Sequence, residues 1–72
     1  MLSHSESNVV MADALTLILH NQHALAAAVE EVTKWLSDNG IQRVADNALV
    51  AMETLDTNAQ AITDAITRLR NF

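Results

Sequence analysis

A single glycine, at position 40 of 72 residues, and the complete absence of proline constrain this chain more than any other feature. Proline would remove a backbone donor and clash with the preceding helical turn, so without it nothing inside either arm obliges a helix to break. Alanine, the commonest residue, has the best intrinsic helix propensity. Clusters of β-branched and aromatic residues bounded by turn residues, the mark of strands, do not occur. The segment Asp38-Asn39-Gly40-Ile41 has the form of a helix stop, with glycine free to take the left-handed conformation and Ile41 placed to reach back to Leu36.

The expected fold is therefore all-α, an antiparallel two-helix hairpin forming one domain over 1–72. Helix one is expected over about 5–39, the turn over about 39–41 and helix two over about 41–71. Ser3 and Glu6 fit a capping box at the start, with Ser5 and Ser7 as rival caps, which leaves a first residue anywhere from Ser3 to Asn8.

Apolar positions repeat in alternating steps of four and three. Helix one gives Met11, Leu15, Ile18, Gln22, Leu25, Val29, Val32 and Leu36. Helix two gives Ile41, Val44, Ala48, Ala51, Leu55, Asn58, Ile62, Ala65, Leu69 and Phe72. Each series is a heptad seam of the coiled-coil kind with one amide inside it. A hairpin folded about Gly40 brings Gln22 level with Asn58, Leu25 with Leu55 and Ile18 with Ile62. The two amides are then expected to form a polar core layer that fixes register, because a buried amide without a partner costs about 1–3 kcal/mol.

A chain this short has a thin core, and with no cysteine to cross-link it, self-association is the expected aid. Apolar residues flank the two seams on one side: Leu19 and Ala26 with Ala12 on helix one, and Ala45, Leu49, Met52, Ala59 and Ile66 on helix two. These predict that two hairpins pair through that flank into a homodimeric four-helix bundle.

Nine acidic against four basic side chains, a net charge of -5, repel phosphate backbones, so no nucleic-acid partner is expected. Arg68 and Arg70 fall in a last helical turn, where they complement the helix dipole. The longest apolar run, 14–19, is too short to span a bilayer, so no membrane partner is expected. The opening MLSHSESN has neither a basic region nor a cleavage site, which makes the cytoplasm the expected compartment.

Catalytic chemistry is not expected. Glu30 and Glu31 are adjacent and diverge by about 100° on a helix, so they cannot share a proton. No serine or threonine is spaced beside a histidine base and an orienting acid. His20 and His23 share a helical face, but no glutamate has the spacing of a bundle metal site, and neither metal nor cofactor is expected. Trp35 has two readings: its indole covers Leu36 and Ile41 at the hairpin tip, or it stands out as the anchor for a protein partner.

A tryptophan near the turn of a short acidic helical hairpin resembles the small secreted proteins named for a Trp-x-Gly turn, although here Leu36 to Asn39 separate Trp35 from Gly40. The segment from His23 to Leu69, with Ala28, Glu30, Glu31 and Trp35 followed by 44-VADN-47, is similar to short uncharacterised bacterial helical-hairpin proteins. Neither resemblance implies a site residue.

The expected function is a small protein-interaction module, a regulator or adaptor acting as a homo-oligomeric bundle, with a partner met through Trp35 or through end residues such as Val9, Val10 and Phe72. Two other readings stay open: a small-molecule-binding bundle using the Gln22 and Asn58 layer, and a secreted hairpin effector.

Overall fold

The computed structural model describes residues 2–71. Two helices, α1 (His4–Asp38) and α2 (Gln42–Arg70), pack against each other as a hairpin 55 Å long. Phe72, expected to close the second seam, lies outside the described residues.

Ser3 is the cap in use: its hydroxyl oxygen accepts from the Glu6 amide at 3.1 Å, and its carbonyl accepts from the Ser7 amide at 2.9 Å. The first satisfies one of the donors that the start of a helix leaves without partners, and the second is the first main-chain bond of the helix itself. At the other end α1 closes in a Schellman motif. The Ile41 amide donates to the Leu36 carbonyl at 2.8 Å, and the Gly40 amide to the Ser37 carbonyl at 3.1 Å. Gly40 has φ 77, and no other described residue has a positive φ. A side-chain hydrogen bond from Ser37 to Gln42, and another from Gln42 to Asp46, tie the end of α1 to the start of α2. No side chain caps the start of α2 at Ile41.

The faces that meet are not the expected ones. Leu15, Gln22 and Leu36 turn inward on α1, but Met11, Ile18, Leu25, Val29 and Val32 are exposed. The places of Met11, Ile18, Leu25 and Val32 are taken, one residue later, by Ala12, Leu19, Ala26 and Thr33. On α2, Val44, Ala51 and Asn58 are exposed while Ala45, Met52 and Ala59 turn inward beside Ala48, Leu55, Ile62 and Leu69. Each helix is rotated by half a residue step, about 50°.

Side-chain size supplies the reason. The distance between two packed helices is set by the residues at the contact. With Ala12 and Ala45 fully buried, the backbones can approach closely, and small residues alternate with large ones on both inner faces, Ala12, Leu19 and Ala26 on α1 and Ala45, Met52, Ala59 and Ile66 on α2. Thr33 fits the same seam because its hydroxyl donates to the Val29 carbonyl at 2.7 Å, leaving no unmet polar group inside.

Candidate interaction surface

Register is set at mid-length by Gln22. Its Nε2 donates to the backbone carbonyl of Leu55 at 2.9 Å, three residues short of the expected partner, and the Asn58 side chain is exposed. The polar layer expected from these two amides is thus not assembled; Gln22 meets its hydrogen-bonding need on the α2 backbone instead.

Of the residues expected to face a second hairpin, Leu19, Ala26, Ala45, Met52, Ala59 and Ile66 lie in the hairpin's own seam, and only Leu49 remains exposed. The stripe that is left uncovered takes in one half of the seam expected on α1. Met11, Ile18, Leu25 and Val32 recur every seven residues along one side of α1, and each is 47–66% exposed. Ala14, Asn21, Ala28 and Trp35 follow each of them by three, so the steps of three and four continue without a break from Met11 to Trp35.

Antiparallel packing turns the corresponding edge of α2, with Val44, Ala51 and Asn58, to the same side of the hairpin. No charged residue stands in the α1 stripe. On the opposite flank the character reverses, with Asp13, Glu30, Lys34, Asp46, Glu53 and Asp56 exposed, and Arg70 paired to Asp13 at 2.9 Å. Half of this surface, Met11, Ile18, Leu25 and Val32, carries a signal in the sequence as part of the expected seam; Ala14, Asn21, Ala28 and Trp35 stand outside that seam, and the direction the stripe faces follows only from the packing.

Trp35 is 59% exposed and stands at the end of the apolar stripe beside Val32. Its position is held by the turn below it, where the Asn39 side chain donates to the Trp35 carbonyl at 2.8 Å. More than half of its surface is offered to solvent.

Total accessible surface is 5503 Å² for a chain of 7.8 kDa. A compact monomer of this mass exposes about 4,400 Å², so the hairpin leaves about 1,100 Å² beyond that uncovered. A standard protein interface hides about 800 Å² on each partner. The excess is of interface size.

Other features are sparse. An open groove beside the turn has Thr33, Ala45 and Leu49 along its floor and Glu30, Glu31, Lys34 and Asp38 at its rim. The two hydroxyls of the groove are both engaged as donors, Thr33 to the Val29 carbonyl at 2.7 Å and Ser37 to the Gln42 side-chain oxygen at 3.1 Å. A small apolar patch at the other end contains Leu2, Val9 and Val10. His20 and His23 are exposed, and among the described residues no three histidine or acidic side chains come together as metal ligands. No described helix is long and apolar enough to cross a membrane.

No family model, curated protein or solved structure matches this chain. Its functional reading rests on its own geometry.

Proposed function

We propose that this hairpin is a non-enzymatic interaction module that works as a homodimer, two hairpins forming a four-helix bundle through the face of Met11, Ile18, Leu25, Val32, Val44 and Ala51. The observation that carries this reading is an uncharged apolar stripe along the length of α1, left exposed by a hairpin whose surface exceeds that of a compact monomer by an interface's worth. Such a stripe is stable in water when a matching stripe covers it, because removing apolar area from water contributes about 25 cal/mol per Å². A regulator or adaptor of this kind acts by occupying a surface, and no bond is made or broken. The protein partner it would regulate is met through residues the bundle leaves free, foremost the apolar end at Leu2, Val9 and Val10.

Light scattering on the purified chain tests the reading. Twice the chain mass at micromolar concentration is expected, falling to the single-chain mass in Ile18→Glu. A wild-type chain that stays monomeric at high concentration overturns it.

A further inference from the structure

The stripe on α1 does more than ask for a cover; between its two large ends, Met11 and Trp35, its order of larger and smaller residues is complementary to itself when reversed. We propose that the second copy docks α1 against α1 in antiparallel sense, with the partner's Trp35 level with Met11, an arrangement that rests on the homodimer reading above. Met11 and Trp35 are 24 positions apart, about 36 Å of helix, so this pairing uses the stripe from end to end.

In that register the partner's Val32 lies over Ala14 and the partner's Ala28 over Ile18. Each alanine faces a branched side chain, which is how facing helices fill space without gaps. Parallel pairing fails this criterion, because Ala14 would face Ala14 and Ala28 would face Ala28 while Trp35 stacked on Trp35 at one crowded end. Antiparallel neighbours also set the positive end of one helix dipole beside the negative end of the other.

The choice of α1 against α1, rather than α1 against α2, follows from composition. Along α2 the positions that would continue the stripe are Asn47, Thr54, Ala61 and Arg68, three of them polar, so beside Val44 and Ala51 this edge offers the α1 stripe a poorer apolar match than α1 itself does. Asn21 stands two residues from the centre of the pairing, level with the partner's Leu25, so the two Asn21 side chains of the dimer lie on either side of the symmetry axis, about 6 Å apart along the helices. That spacing lets them hydrogen-bond across the interface and penalises slippage by a heptad, the use of a single seam asparagine in coiled coils.

The absence of native cysteine makes disulfide trapping a clean test. Ala14→Cys and Val32→Cys chains are mixed, allowed to exchange, and oxidised; the pair Ile18→Cys and Ala28→Cys is run alongside in case one variant loses helicity. The expected product is the mixed Ala14–Val32 linkage in at least tenfold excess over either self-linkage, since a disulfide forms only where the two Cα atoms come within about 7 Å. Self-linkage of each variant would overturn the antiparallel sense in favour of parallel pairing. A dimer by light scattering that yields no linkage at either pair, or that links through Leu49→Cys instead, overturns this register while leaving the homodimer reading intact. A chain monomeric in light scattering removes both.

Discussion

The side-chain amide of Gln22 donates to the main-chain carbonyl of Leu55, joining the two helices near their midpoints with the only hydrogen bond between a side chain of one and the backbone of the other among the described residues. A main-chain carbonyl is a fixed acceptor, so this contact discriminates between a donor and an acceptor at position 22. Replacing Gln22 by glutamate sets a carboxylate oxygen against a carbonyl oxygen. Gln22→Glu is expected to lower stability by about 1–2 kcal/mol, seen as a fall of about 4–15 °C in the thermal midpoint at neutral pH. Gln22→Leu keeps the volume and loses less.

The turn depends on backbone conformation rather than on space. A Cβ built on Gly40 meets nothing within 4 Å, yet the residue sits at φ 77. Gly40→Ala is therefore expected to cost about 1–2 kcal/mol through the left-handed conformation alone, and Gly40→Asn distinctly less, because asparagine tolerates it. Chemical denaturation of the three chains orders them Gly, Asn, Ala.

Neighbouring leucines on α1 separate seam from surface. Leu19 is 8% exposed and Leu17 66%. Leu19→Ala is expected to cost about 2–3 kcal/mol by leaving a gap in the seam, and Leu17→Ala to stay within about 0.5 kcal/mol. Equal losses in the denaturation curves would contradict the rotated seam.

Leu25 and Leu49 are both exposed apolar residues on opposite flanks, at 66% and 48%. Leu25→Glu is expected to shift the homodimer to monomer in sedimentation, raising the dissociation constant by at least a hundredfold, whereas Leu49→Glu leaves the mass unchanged. The reverse outcome would assign the interface to the other flank.

The ion pair between Arg70 and Asp13 joins partly exposed side chains, 43% and 61% accessible. Pairs of this kind are worth little in water because solvent screens them and ordering two side chains costs entropy. Arg70→Ala is expected to change stability by less than about 1 kcal/mol, with the difference disappearing at 1 M salt.

Local chemistry was legible in the residues themselves. Gly40 marks the reversal, Ser3 marks the start and the lack of proline keeps both arms helical, because each of these depends on backbone conformation within a few positions. The inward faces were not legible in the same way. Leu15, Gln22 and Leu36 belong to two overlapping series, one running through Met11, Ile18, Leu25 and Val32, the other through Ala12, Leu19, Ala26 and Thr33, and both keep steps of three and four. A count of apolar residues favours the first series, since it holds the larger side chains. Only the approach of α2 decides for the second, because helix pairs gain dispersion contacts by closing on small residues, and Ala12, Ala26, Ala45 and Ala59 permit that closeness while valine and isoleucine hold the axes apart. Thus the chain's order dictated two helices and where they part; the fit of one surface on another dictated which apolar stripe was consumed inside the hairpin and which was left to face outward.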